Sequence, residues 1–178
     1  MLEQDQKLVE EAKQDPEKFV QLYDKYFDQI FRYVSRRVND YDTVQDLVSQ
    51  TFYDAFAHLK DFEWRGFPFS SWLYKIAHNN VLKWYREQSK GHKVGLEEIA
   101  EIADKTVDHQ EAMVHQDLKE HMEKVMSQLE VEEREIVRLK YFEEVSNIEI
   151  AEIMGLSPNH IGVKIYRILR KLKQLLPS

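Results

Sequence analysis

Apolar positions recur at three- and four-residue spacing through most of the chain, which is typical of amphipathic α-helices. The first such run extends from about residue 15 to residue 88 and predicts three helices. A break at Asn39-Asp40 separates the first two, and we expect Asp42 or Thr43 to cap the second. The turn-rich segment DFEWRGFPFSS precedes the third. No stretch shows the alternation of a β-strand, so the pattern predicts an all-α fold.

The periodic pattern fades after the third helix and returns later in the chain. Residues 91–117 combine weak periodicity with a high density of acidic side chains, which indicates a linker. A second helical block follows it. We therefore predict two small helical domains, residues 1–90 and residues 118–178, joined by this acidic linker.

The stretch SNIEIAEIMGLSPNHIGVKIYRILRKL near the C-terminus predicts two short helices with a tight joint. Ser146 and Glu149 have the spacing of a capping box at the start of the first helix. Gly155 stands where a helix C-terminus requires positive φ. Ser157 is a cap for the second helix, with Pro158 at its first position. This pattern favours a DNA-binding helix-turn-helix, although a helical hairpin with a basic, solvated face would share it.

The outward face of that second helix is polar and basic. Such side chains fit the major groove, where cations meet phosphates or guanine edges. The candidate duplex-binding residues are Asn159, His160, Val163, Lys164, Arg167 and Arg170.

Aromatic and basic residues are interleaved in the segment DFEWRGFPFSSWLYKIAHNNVLKWYREQSK, which holds all three tryptophans. Unpaired bases stack on aromatic rings while their phosphates meet cations, so this composition suits single-stranded nucleic acid. Most of the rings on the helix itself, such as Phe69 and Trp72, are better explained as core. The loop from Phe62 to Pro68 and the outer face of the following helix remain the functional candidates.

The charge of the chain is uneven. Its formal net charge is -7, yet basic residues cluster from Arg65 to Lys93 and again after Ile153, with the acidic linker between them. Two basic clusters in an acidic chain are compatible with nucleic-acid binding. There are no cysteines, which excludes disulfides, thiolate metal sites and thiol nucleophiles. Without an apolar N-terminal stretch or a run of roughly 18 apolar residues, we expect a cytoplasmic protein.

Nothing in the sequence points to catalysis. There is no glycine-rich phosphate loop and no pairing of a nucleophile with a base. His109, His115 and His121 are six residues apart, so a helix would not bring them to one face. We expect neither enzymatic activity nor a cofactor or metal.

Taken together and in this order, the motifs resemble bacterial RNA polymerase sigma factors of the sigma-70 superfamily, in the extracytoplasmic-function (ECF) group. DYDTVQDLVSQTFYDAF is similar to the helix that docks on the β′ clamp helices of core polymerase. FPFSSWLYKIAHNNVLKWYR is similar to the segment that melts and captures the −10 promoter element. The C-terminal helix pair is similar to the helix-turn-helix that reads the −35 element.

The resemblance implies a role for each matched residue. The implied polymerase-binding residues are Asp46, Leu47, Gln50, Thr51 and Tyr53. The implied −10 residues are Phe62, Trp64, Arg65, Phe67, His78, Asn79, Asn80, Lys83 and Arg86. The duplex-binding residues named above would read the −35 element.

The implied partners are core RNA polymerase, through its β′ clamp helices and β flap, promoter DNA, and an anti-sigma factor as a candidate inhibitor. The alternative interpretation is a helix-turn-helix repressor or activator that acts without core polymerase. That alternative explains the C-terminal block but not the aromatic segment.

Overall fold

The computed structural model describes residues 2–88 and 125–175. The chain divides into two compact units, Met1–Glu87 and Gln88–Ser178. The regular elements within the described ranges are helices, without a strand, which confirms the predicted all-α class. Among these helices none is long and apolar enough to cross a membrane. The predicted linker, residues 91–117, lies outside the described residues.

The N-terminal unit is built from four helices, with short 3₁₀ turns after the first and third. The helices are α1 (Leu2–Gln14), α2 (Phe19–Ser35), α3 (Tyr41–His58) and α4 (Phe69–Gln88). The 3₁₀ turns are Pro16–Lys18 and Leu59–Asp61. The three helices predicted from the periodicity correspond to α2, α3 and α4.

Helix α1 is not among the predicted helices, because its buried face carries an acid. Val9 and Ala12 are buried, but the position one turn earlier is Asp5, whose exposure is only 1%. The Asp5 carboxylate forms an ion pair with Lys25 of α2. Burial, followed by the hydrogen bond and negative charge of Asp5, raises the pKa of the Tyr26 hydroxyl well above its usual range. The carboxylate therefore anchors α1 on α2 where an apolar side chain would otherwise pack.

The core of the N-terminal unit lies between α2 and its neighbours. Leu22, Ile30 and Tyr33 of α2 are fully buried, and Leu73 and Tyr74 of α4 are buried to within 1%. Burial of each large apolar side chain contributes about 1.5–3 kcal/mol, so this face of α2 organises the unit. All three tryptophans, Trp64, Trp72 and Trp84, belong to this unit.

The cap of α3 is Asp40, not Asp42 or Thr43 as predicted. Its carboxylate accepts hydrogen bonds from the Thr43 backbone N–H at 2.9 Å and the Thr43 hydroxyl at 2.6 Å. The hydroxyl bond and then the backbone bond lower the pKa of the Asp40 carboxyl. The prediction failed because several neighbouring positions carry side chains that favour a helix N-cap.

Of the C-terminal unit the structure describes residues 125–175, in which residues 125–127 are helical and three further helices follow. These are α5 (Val131–Val137), α6 (Asn147–Met154) and α7 (Pro158–Leu175). The helices enclose a small aliphatic core of side chains with at most 2% exposure, namely Ile136, Leu139, Ile150, Ala151, Ile153, Ile161 and Ile168.

A π-helical turn, Arg138–Phe142, ends α5 and is not anticipated from the periodicity. The chain leaves it through Glu144, whose φ is +55°, and the Val145 N–H donates to the Leu139 carbonyl at 2.9 Å. Val145 is buried directly before the cap of α6. The π-helical turn therefore directs the chain toward the start of α6, the first helix of the helix-turn-helix.

Candidate nucleic-acid interface

The joint between α6 and α7 has the geometry that the sequence predicts. The Glu149 N–H donates to the Ser146 hydroxyl at 3.3 Å, and the Ser146 N–H donates to the Glu149 carboxylate at 3.1 Å. Gly155 ends α6 in the left-handed region with φ +68°. The Ser157 hydroxyl accepts from the His160 N–H at 3.2 Å, which caps α7. The predicted helix-turn-helix caps are thus confirmed.

The outer face of α7 carries most of the predicted duplex-binding residues. Asn159, Val163, Arg167 and Arg170 follow one another at intervals of three or four residues, so they share one face, and all are exposed. His160 is exposed at the edge of this face. We call these five residues the α7 face.

Tyr166 is absent from the predicted site but projects beside the α7 face. Its side chain is 63% exposed, although it is large and partly apolar. Its sequence signal is the helical spacing to Val163 and Arg170, which places it on the same side of the helix.

Lys164 does not join the α7 face. Its Nζ donates to the Glu132 carboxylate of α5 at 2.6 Å, and only 19% of its side chain is exposed. Two turns further along the same face of α7, Lys171 Nζ contacts both Glu133 carboxylate oxygens, at 2.7 and 2.8 Å. The two lysines therefore fasten α7 to α5, and Lys164 lies apart from the exposed residues of the α7 face.

Glu133 is the more buried acid of these two pairs. Burial acts to raise the pKa of its carboxyl. The hydrogen bonds from Lys171 and from the Glu130 N–H, together with the charges of Lys171 and Lys164, outweigh that effect and lower the pKa overall. Glu133 is thus ionised in the folded unit, and it also closes a capping box at the start of α5.

Helix α4 presents a separate polar and basic face. Asn79, Lys83 and Arg86 are exposed and lie four and three residues apart. We call these three residues the α4 face. Its two cations and its amide are arranged along one line of the helix surface, as contact with a nucleic-acid backbone requires.

His78 and Asn80 point away from the α4 face. The His78 Nδ1 lies 3.3 Å from the Tyr33 hydroxyl of α2. The Asn80 Nδ2 donates to the Asp54 carboxylate of α3 at 3.0 Å. The structure thus turns these two predicted −10 residues toward the neighbouring helices, because they are one residue, or about 100°, to either side of Asn79.

The loop between α3 and α4 gathers aromatic rings around Phe62. The Phe62 ring centroid lies 5.9 Å from that of Trp64 and 4.8 Å from that of Trp72. Lys13 of α1 donates to the Phe62 carbonyl at 2.8 Å, which fixes the start of the loop. Gly66, with φ +81°, makes the turn that follows.

The remaining predicted loop residues lie close by in the sequence. Arg65 is exposed, and Phe67 and Trp64 are half-buried. The loop thus offers partly open aromatic rings next to a cation.

The predicted polymerase-binding residues of α3 separate into two groups. Asp46, Gln50 and Tyr53 are exposed on one face, with Tyr53 at 67%. Leu47 and Thr51 are buried, with exposures of 8% and 0%, and the Thr51 hydroxyl donates to the Leu47 carbonyl at 2.7 Å. The last two residues pack inside the unit and support α3 from there.

Both units match known families. The family model described as Sigma-70 region 2 matches residues 22–91, and the model described as Sigma-70, region 4 matches residues 119–172. The matched ranges contain the α4 face and the helix-turn-helix respectively.

Known proteins match over nearly the whole chain. RNA polymerase sigma factor YlaC of Bacillus subtilis is 29% identical over 154 residues, which are 86% of this chain and 88% of YlaC. The ECF RNA polymerase sigma factor SigW of Bacillus subtilis is 26% identical over 172 residues, which are 92% of this chain and 91% of SigW.

A solved structure shares the fold. The structure of CnrH in complex with the cytosolic domain of CnrY matches with a TM-score of 0.66 and 24% identity, over 96% of each chain. With a region 2 match in the first unit, a region 4 match in the second and curated relatives that are sigma factors, the chain belongs to the sigma-70 family of RNA polymerase sigma factors, in its extracytoplasmic-function group.

Proposed function

We propose that this protein binds core RNA polymerase and directs it to promoters, reading the −35 duplex with the α7 face and capturing one −10 strand with α4 and the aromatic loop. The observation that carries the proposal is the presence of two different nucleic-acid surfaces in one chain. One is a capped helix-turn-helix, and the other combines the basic face of α4 with partly open aromatic rings in the loop before that helix.

The α7 face supplies the chemistry for duplex recognition. Arg167 and Arg170 can each bind a phosphate or form two hydrogen bonds with one guanine edge, and Val163 can contact a thymine methyl group. Their four- and three-residue spacing spreads them along a groove-sized helix. We include Tyr166 in this surface because of its exposure beside Val163.

The N-terminal unit supplies the chemistry for strand capture. Stacking of a base on an aromatic side chain contributes about 1–3 kcal/mol, comparable to the cost of unstacking that base from the duplex. Phe62, Trp64, Arg65 and Phe67 form the proposed capture loop, and the α4 face would hold the strand backbone. Binding energy can therefore drive strand separation without ATP.

For polymerase binding we propose the exposed residues Asp46, Gln50 and Tyr53 of α3. Their face is acidic and aromatic, and in the proposal it contacts the β′ clamp helices. Burial of Leu47 and Thr51 keeps the α3 backbone in place beneath this face.

The net charge of -7 also supports an initiation factor over a regulator that works alone. An acidic chain approaches phosphates weakly, so its DNA affinity must be completed by polymerase. A repressor or activator without polymerase would account for the α7 face but leave the α4 face and aromatic loop without a role.

As a sigma factor, the protein acts by binding and positioning, without catalysis, in the cytoplasm where transcription takes place. Regulation by an anti-sigma factor is part of the proposal. It is supported by CnrH, which is seen in complex with the cytosolic domain of CnrY, and by RpoE of Bartonella quintana, which is described in complex with the anti-sigma factor NepR.

Transcription from a pool of genomic promoter fragments tests the proposal. Core polymerase with this protein should start transcripts at defined sites that core polymerase alone ignores, and sequencing of the 5′ ends identifies the promoters. If no fragment gives such a start, the proposed function is wrong.

The variant Arg167→Ala refines the test. It should weaken upstream recognition about tenfold, because one arginine contact to DNA contributes roughly 1–3 kcal/mol. Core binding should be unchanged, and Arg32→Ala at an exposed position of α2 is the matched control. Loss of core binding in Arg167→Ala would contradict the role of the α7 face.

A further inference from the structure

The two carboxylate oxygens of Asp54 in α3 accept hydrogen bonds from two different side-chain amides. Its Oδ1 accepts from Gln50 Nε2 at 2.7 Å within α3, and its Oδ2 accepts from Asn80 Nδ2 of α4 at 3.0 Å. Asn80 Nδ2 also lies 3.4 Å from the Thr51 hydroxyl. The amide of Asn80 is therefore held against α3 by a charged acceptor in a partly buried position.

This contact is directed away from the α4 face. Asn80 follows Asn79 by about 100° around the helix, whereas Lys83 and Arg86 lie within about 40° of Asn79. A side chain committed to Asp54 cannot simultaneously reach a strand that lies along the α4 face. The amide group thus serves the packing of α4, although its position in the sequence suggests contact with DNA.

On its other side, α4 is held by α2. Gln29 Nε2 donates to the Tyr74 hydroxyl at 2.8 Å, and His78 Nδ1 lies 3.3 Å from the Tyr33 hydroxyl. These contacts fix one flank of α4, and the Asp54–Asn80 hydrogen bond fixes the other. Rotation of α4 about its own axis is then opposed from both sides.

We infer that Asp54 and Asn80 form a positioning pair that sets the orientation of the α4 face. Asn80 acts in −10 recognition through the placement of α4 and does not touch the DNA. The inference rests on the proposed function, in which the α4 face holds the −10 strand. It assigns Asp54, which the motif analysis left without a role, to the same task.

An exchange of the two side chains tests the pair. Asn80→Asp places a second carboxylate against Asp54, and the repulsion should turn α4 away from its position. Adding Asp54→Asn to that variant restores one amide and one carboxylate with their places exchanged. The exchanged pair can form the hydrogen bond again. If position 80 faced DNA instead, its new carboxylate would still repel phosphates in the double variant.

The measurement is the affinity of the polymerase complex for a fluorescent single strand carrying the −10 region of a promoter found in the transcription assay. Asn80→Asp should weaken binding about tenfold, equivalent to about 1.4 kcal/mol. Asp54→Asn alone should weaken it about threefold, since an amide still accepts one of the two bonds. The double variant should return to within about threefold of the native protein.

Asp28→Asn, at an exposed acid of α2, is the control for a change of charge and should bind like the native protein. Helical content by circular dichroism shows whether Asn80→Asp still folds. If it does not, the strand affinity of the double variant tests the pair by itself. A double variant as weak as Asn80→Asp, or an Asn80→Asp variant with native affinity, overturns the pair. If the native complex binds no single strand, the proposed function fails instead.

Discussion

The pairing of Glu133 with Lys171 leads to a quantitative prediction for Glu133→Gln. In the native unit Lys171 Nζ contacts both carboxylate oxygens, and the Glu130 N–H donates to Oε2 at 3.0 Å. The substitution keeps the shape of the side chain but removes its charge and places an NH₂ group where an acceptor stood. It therefore perturbs the attachment of α7 to α5 without opening a cavity.

The magnitude follows from burial. Hydrogen bonds to charged groups contribute about 1.5–3 kcal/mol, whereas exposed ion pairs contribute about 0–1 kcal/mol. Only 10% of the Glu133 side chain is exposed, but 42% of the Lys171 side chain is, so solvent screens the pair in part. We expect the free energy of unfolding of the C-terminal unit to fall by about 2 kcal/mol, which corresponds to about a thirtyfold change in its opening equilibrium.

Amide hydrogen exchange followed by mass spectrometry is the assay, because peptides from α5 and α7 report on this unit within the intact chain. Their exchange should accelerate about thirtyfold at about pH 7, while α4 peptides serve as the internal reference. Glu132→Gln is the matched control. Its side chain is 40% exposed, so an effect of at most about 1 kcal/mol is expected. Unchanged exchange in α5 and α7 of Glu133→Gln would refute the reasoning.

The lowered pKa of Glu133 also determines how its contribution to stability changes with pH. Because the folded-state pKa of Glu133 is lowered, its contribution is complete above the unfolded-state pKa and is lost as the pH falls through the folded-state pKa. The difference in thermal stability between native protein and Glu133→Gln should persist from neutral pH to about pH 5 and shrink below about pH 4. A difference that grows in acid would contradict the assigned ionisation.

Three further outcomes are expected. Gly162→Ala should stabilise the C-terminal unit by about 0.5–1 kcal/mol, because an added Cβ meets no atom within 4 Å and glycine weakens a helix; a fall in the midpoint of thermal unfolding would contradict this. Ile161→Ala should cost about 2–5 kcal/mol by leaving a cavity at a fully buried position, measured by urea unfolding. Lys164→Met should leave the salt dependence of promoter binding unchanged, whereas Arg167→Ala should reduce its slope by about one; equal reductions would return Lys164 to the DNA face.

Local rules were sufficient for the helix-turn-helix. The capping box at Ser146, the left-handed Gly155 and the cap at Ser157 each depend on residues within one helical turn, and each is found as predicted. The helical periodicity likewise located α2, α3 and α4. Helix α1 was not predicted, because Asp5 occupies a buried position that is usually apolar in an amphipathic helix.

The exposed helix faces of the site could be predicted from the sequence, but the hydrogen-bond partners of individual residues on other helices could not. Lys164 and Asn80 have the polarity of DNA-binding residues, yet each is held against a neighbouring helix by an acid, Glu132 or Asp54, that is 32 or 26 positions away in the sequence. Leu47 and Thr51 show the converse, since a motif groups them with exposed neighbours although their own side chains are buried. Contacts between helices determine whether these side chains are exposed, and residue spacing along a single helix does not predict such contacts.

The placement of all three tryptophans in the N-terminal unit gives the intact chain an intrinsic optical label. Indole emission during unfolding reports on that unit alone, whereas circular dichroism reports on helices in both units. Trp64 and Trp72 moreover flank the Phe62 ring, so a stacked base would quench their emission. Strand capture and the separate stabilities of the two units can therefore be followed in the unlabelled protein.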